Sequence, residues 1–175
     1  DTASTSTLVA LICARERATS YGLGRGGLQA EPQPLVVYTS SYSHSSVDKA
    51  ALLAGFGKDN IRHIACDETF ALRPDALAAA IAEDRAAGRV PCAVVATTGT
   101  TTTTALDPVR AIADVLRGQT PDETVRGQTP PGIWLHIDAA MAGSAMVLPE
   151  CRWMWDGIEA ADSLVLNPHK WLGAA

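Results

Sequence analysis

The sequence is short of lysine, of aromatic residues and of long apolar runs. Aromatics make up 5% of the 175 residues, and lysine occurs only as Lys49, Lys58 and Lys170. The longest unbroken apolar run, Leu8 to Ala14, falls far short of the ~20 residues that cross a bilayer, which predicts no membrane span. Lys+Arg number 14 against 19 Asp+Glu, a formal net charge of −5 without a basic stripe, so nucleic-acid binding has little to rest on. Cys13, Cys66, Cys92 and Cys151 are scattered, with no C-x-x-C pair and no histidine at zinc-finger spacing. That predicts no metal site and no disulfide framework, but reduced, mostly buried thiols in a cytoplasmic protein. The first residues, Asp1 to Thr7, lack the charged and apolar regions of a signal peptide and an initiator methionine, so Asp1 is not read as the true start.

What is present is ordinary globular composition, 47% hydrophobic and 19% charged, for which one domain is the natural count. Helix and strand patterns alternate. Thr5 to Ala18 reads as a helix capped by Thr and Ser, with Arg15 and Arg17 near its end. Gly22 to Pro34 reads as loop, and Leu35 to Thr39 as a strand. Ser45 to Asp48 resembles a capping box opening a helix that Gly55 closes. Ile61 to Cys66 is a second strand, Pro74 to Ala87 an Ala-rich helix, and Cys92 to Ala96 a third strand. Asp107 and Pro108 read as N-cap and first turn of a helix with Val109, Ile112, Ala113 and Leu116 on one face. Ile133 to Ile137 and Leu164 to Leu166 complete the strands. The pattern predicts an α/β fold, a mostly parallel sheet with flanking helices. A short duplication, Arg-Gly-Gln-Thr-Pro at 117–121 and 126–130, reads as a lengthened surface loop.

Ligands of parallel sheets sit beyond the carboxyl ends of the strands. Four polar clusters fall there: Ser41 to His44, Thr97 to Thr101, Asp138 to Ala140, and Asn167 to Trp171. Lys170 follows an apolar strand and precedes Trp171 and Leu172, surroundings that predict a desolvated amine able to form a Schiff base. Taken alone, it could equally be a lysine paired with a nearby carboxylate. Asp138 alone could be a turn or cap residue, His44 a surface histidine, Ser4 a helix cap, and Thr100 to Thr104 a strand exit. Trp153 and Trp155 read as core or interface residues. A lysine and a carboxylate on consecutive strands together suit pyridoxal phosphate, whose aldehyde takes an amine and whose ring nitrogen takes an acidic partner.

Asn167-Pro-His-Lys-Trp-Leu172, preceded by His136-Ile-Asp-Ala-Ala-Met-Ala-Gly-Ser-Ala145, resembles the lysine region of the pyridoxal-phosphate-dependent (group II) amino-acid decarboxylases, most closely the aromatic-L-amino-acid branch. Ala3 to Leu8, Ser43 to Val47, Val95 to Thr102 and Pro149 to Arg152 follow in the family's order. The resemblance implies an aspartate-aminotransferase-like (fold type I) large domain. Lys170 would hold the cofactor as a Schiff base, Asp138 would pair with its ring nitrogen, and His44 would stack on the ring and lie near the substrate carboxylate. Ala140 would pack on the opposite face. Ala3, Ser4, Asn167 and His169 would hold the phosphate, and Thr101 would contact the cofactor. Met141 stands where this branch commonly has an aromatic residue, and Thr5 and Ser6 depart from its usual acidic-Ala pair.

The implied activity is that of a carboxy-lyase converting an L-amino acid, aromatic by the same resemblance, to its amine and CO2. Other reactions on the same scaffold are transamination and oxidative deamination to an aldehyde. A non-enzymatic domain or an inactive fragment is the remaining reading. Residues 1–175 would then be part of the large domain, with an N-terminal segment and a small C-terminal domain outside them, in a protein acting as a homodimer.

Overall fold

The computed structural model describes residues 2–118 and 132–174. The 117–121 and 126–130 duplication therefore lies mostly outside the described residues. The elements run α1 (Ala3–Ala18), α2 (Leu23–Gly26), β1 (Leu35–Ser40), α3 (Ser46–Leu53), β2 (Ile61–Ile64), α4 (Pro74–Ala86), β3 (Val90–Thr97), α5 (Val109–Gly118), β4 (Trp134–Ala139), β5 (Ser163–Leu166) and α6 (Pro168–Trp171). All five strands are parallel, in the order β2-β1-β3-β4-β5. The chain therefore builds outward to one side through β1 and β2, then to the other through β3, β4 and β5. That reversal leaves a crevice at the carboxyl ends of β1 and β3.

Both faces of the sheet are covered, which is why its strands read as near-continuous apolar runs. Successive side chains alternate between two cores. Leu35, Val37, Ala93 and Val95 join Leu11 and Ala14 of α1 and Val47, Ala50 and Ala51 of α3. Val36, Tyr38, Val94, Ala96, Leu135 and Ile137 meet Leu77 and Ile81 of α4 and Val109, Ile112 and Leu116 of α5. The apolar face expected for α5 is thus the one it buries. No helix among the described residues is long and apolar enough to cross a membrane.

Several local expectations change. Helix α1 opens at Ala3 because Thr2 is its cap, its Oγ1 accepting from Thr5 N–H at 3.4 Å. The 22–34 stretch holds two short helical turns, at Leu23–Gly26 and Leu28–Ala30. Strand β2 ends at Ile64, and Cys66 instead makes an isolated antiparallel bridge with Leu72. Ser45 makes no side-chain cap at α3. Asp107 is not spent on its own helix either: its carboxylate accepts from Leu72 N–H at 2.8 Å and Thr97 N–H at 2.7 Å, tying the end of β3 to the segment before α4. Of the four thiols only Cys92 is buried, since Cys13 lies on the outer side of α1. Trp153 is exposed, whereas Trp155 packs against the α4/α5 core.

A charged cluster fastens that core. Asp84 of α4 is 1% exposed and accepts from Tyr38 OH at 2.9 Å, from Arg62 Nε and Nη2 at 3.0 and 2.6 Å, and from Arg89 Nη1 at 2.9 Å. Burial alone would push its pKa up, but the bonds from Arg62, Arg89 and Tyr38 outweigh it and hold the carboxyl below its usual value. Asp84→Ala strands those donors. The expected loss is about 2–3 kcal/mol in urea unfolding, below the value for a fully buried pair because both arginines reach solvent.

Candidate active site

One cavity of about 230 Å³ lies at the carboxyl ends of the strands. It is lined by all nine residues singled out in the sequence: Ala3, Ser4, His44, Thr101, Asp138, Ala140, Asn167, His169 and Lys170. Thr2, Ser46, Thr97, Gly99 and Met141 complete the wall. Residues from both ends of the chain meet because each lies at or beyond the carboxyl end of a strand or at the start of α1, and parallel strands bring their carboxyl ends to one edge.

Asp138 forms the deep end. It is 5% exposed, on the face of β4 opposite the α4/α5 core, and its Oδ1 accepts from Ala140 N–H at 3.1 Å. That bond is the local turn geometry expected of an ordinary Asp, so the turn role and a place in the site coexist. Ala140, also buried, stands two residues further on. The loop after β3 approaches closely: Gly99 has φ +85°, and a Cβ there would stand 2.8 Å from Ala142 Cβ. The threonine run is a closed turn and not a strand exit, with Thr100 Oγ1 2.6 Å from Thr103 Oγ1 and accepting from Ala105 N–H at 3.0 Å. This presents Thr101 to the cavity.

His44 is exposed in the turn after β1, and its ring is set by the helix that follows. Nδ1 accepts from Ser46 N–H at 3.2 Å and lies 2.8 Å from Ser46 Oγ. The histidine thus caps α3, the part assigned to Ser45 from sequence. At α1, Ala3 and Ser4 precede the first intrahelical bond, which Ser6 N–H makes to Thr2 O at 3.1 Å. Early N–H groups of this kind suit an anion.

Lys170 corrects its sequence reading: it is exposed, not desolvated. Among the described residues β5 is the outermost strand on its side of the sheet, and Leu164 and Leu166 are both about two-fifths exposed. Asn167 at the start of α6 is buried, and His169 is exposed. Among the described residues no group of three His, Cys, Asp or Glu could hold a metal ion.

Sequence reasoning missed two buried groups beside the site. His136, two residues before Asp138, is 1% exposed, and its Nδ1 lies 2.9 Å from Ser163 Oγ, which also accepts from Trp134 Nε1–H. Burial pushes its pKa down to about 4. Burial pushes Asp107 up to about 6, against the two N–H groups that favour its charge. The two oppose one another in stability. A histidine depressed from 6.5 stabilises fully above 6.5 and loses that stability as pH falls toward 4. A carboxyl raised from 3.8 contributes below 3.8, and its contribution is lost as pH rises to 6. Their slopes offset between about pH 4 and 6. His136→Gln should unmask Asp107, so that unfolding free energy falls by on the order of 3 kcal/mol as pH rises across that window, measured by urea titration.

The five-stranded parallel sheet with flanking helices belongs to the aspartate-aminotransferase-like class, fold type I, as do the solved structures it superposes on. The sequence profile of the "Pyridoxal-dependent decarboxylase conserved domain" matches residues 1–175, and the chain belongs to that family, whose cofactor is pyridoxal phosphate. It is 48% identical over 139 residues to tryptophan decarboxylase TDC1 of Camptotheca acuminata, covering 78% of this chain and 25% of the relative. It is 39% identical over 171 residues to phenylacetaldehyde synthase of Arabidopsis thaliana, covering 97% and 31%. Mouse CSAD superposes with a TM-score of 0.88 at 37% identity over 99% of this chain and 34% of that one. Oryza sativa TDC, solved with PLP and tryptamine, gives 0.84 at 42% identity over 98% and 33%. The chain thus spans a quarter to a third of the length of these relatives.

Proposed function

We propose that this chain carries the cofactor site of an enzyme that decarboxylates an aromatic L-amino acid to the corresponding amine and CO2. The observation that carries the reading is the meeting of Lys170, Asp138 and the first turn of α1 in one cavity. Pyridoxal phosphate needs an amine for its aldehyde, a carboxylate for its ring nitrogen and a cradle for its phosphate, and the residues fit each need. When bound, it supplies an electron sink for the pair left at Cα as CO2 departs.

The roles of the side chains follow. Lys170 Nζ would hold the cofactor through its aldehyde. Asp138 would hold a proton on the ring nitrogen, from a buried position where a fixed charge acts strongly. His44, held from its Nδ1 side by Ser46, would cover one ring face and lie near the substrate carboxylate. Ala140 would leave room on the other face. Ala3 and Ser4 offer backbone N–H groups to the phosphate, with Asn167 and His169 beside them. Thr101 adds a polar contact from the loop after β3.

A second reading, oxidative deamination to an aldehyde, draws support from the similarity to phenylacetaldehyde synthase. Incubating the purified protein with pyridoxal phosphate and L-tryptophan, L-tyrosine or L-phenylalanine separates the two. Amine and CO2 in equal amounts support decarboxylation. Aldehyde with ammonia moves the assignment to the second reading, and keto acid would point to transamination. No product from any amino acid sinks the proposal. We further propose a homodimer as the working form, and the cytoplasm as its place, in keeping with scattered, unpaired cysteines.

A further inference from the structure

Within the cavity wall, one buried hydroxyl has no partner. Thr97, the last residue of β3, is 4% exposed, and its Oγ1 is buried without a hydrogen bond. Thr39, another buried threonine on a neighbouring strand, donates to Val95 O at 3.2 Å, the usual solution for such a group. Valine would occupy the same place on a strand without stranding a donor, so the hydroxyl is a donor still open to an acceptor when the cavity is filled.

Its position is fixed. Thr97 pairs in register with Asp138 of β4, and register partners present their side chains to the same face. Thr97 N–H donates to Asp107 Oδ2 at 2.7 Å, and Thr97 O accepts from Asp107 N–H at 2.9 Å. The next residue, Thr98, donates its N–H to Asp138 O at 2.9 Å. Backbone bonds therefore hold the hydroxyl beside the Asp138 carboxylate with no protein group competing for it.

We infer that Thr97 is a positioning residue for Asp138: with the cavity filled, its hydroxyl donates to the carboxylate and sets the oxygen that meets the ring nitrogen. This rests on the reading of Asp138 given above. Among the described residues the Asp138 carboxylate accepts from Ala140 N–H only, and a second donor restrains a carboxylate that one bond leaves free to swing.

The test uses pyridoxal phosphate itself, titrated into the purified protein and followed by absorbance and by induced circular dichroism of the bound cofactor. Thr97→Val should weaken binding about 10-fold and lower the dichroism per bound cofactor, as loss of one charge-assisted hydrogen bond would. Thr97→Ser should restore both. Thr98→Val removes an equally buried, unpartnered hydroxyl outside the cavity wall and should change neither. Equal affinity and dichroism in Thr97→Val and the parent overturn the inference, as does the same loss in Thr98→Val. Asp138→Asn separates the two levels. Affinity lost there but kept in Thr97→Val defeats this inference alone, whereas affinity kept in Asp138→Asn defeats the reading of Asp138 and this inference with it.

Discussion

Lys170→Ala should abolish the visible absorbance of the bound cofactor and lower turnover about 10³-fold or more, the scale on which loss of a covalent catalyst acts. The expectation is sharp because the sequence offers so few amines. Lys49 lies on α3 and Lys58 in the turn before β2, and neither lines the cavity. Lys49→Ala and Lys58→Ala should therefore leave spectrum and turnover unchanged. Lys170 is exposed and lines the cavity, so the role proposed for it rests on that placement and not on an apolar pocket around it. Absorbance titration with the three variants decides the matter, and an unchanged cofactor spectrum in Lys170→Ala would remove the assignment.

Asp138→Asn keeps size and most contacts but removes the charge. Its Oδ1 can still accept from Ala140 N–H, so the turn should survive. What goes is the fixed negative charge at the deep end of a buried site, where a preorganised charge counts for more than in water. The expected fall in kcat is about 10²–10³-fold, with weaker cofactor binding and normal thermal unfolding. Steady-state rates of CO2 release measure it. A kcat within about threefold of the parent would mean that Asp138 is only a turn residue.

Much of this site was legible in the chain because strand-helix alternation says where strands end, and parallel sheets place ligands at those ends. Ser41 to His44, Thr97 to Thr101, Asp138 to Ala140 and Asn167 to Trp171 each lie at or just beyond the carboxyl end of a strand, and all reach the one cavity. Caps were less legible. A Ser-x-x-Asp spacing pointed to Ser45, while the imidazole of His44, one residue earlier, takes the N–H of Ser46. Asp107 before Pro108 has every local mark of an N-cap, yet its carboxylate serves Leu72 and Thr97, a bond partner set decided by how β3 packs. Asp84 had no signal at all: Tyr38 of β1 and Arg62 of β2 reach it only around the folded core, and Arg89 joins them from the turn after α4.

The sequence by itself determined the elements, the parallel α/β class, and which side chains stand at the strand ends, because periodicity and strand direction are local properties. Its resemblance to the pyridoxal-dependent decarboxylases supplied the roles that those side chains are proposed to play. Tertiary structure decided what depends on neighbours far along the chain. It set the β2-β1-β3-β4-β5 order, buried His136, and stood the unpartnered Thr97 hydroxyl beside Asp138. Burial and partnership are properties of the packed assembly, and no window of residues contains them.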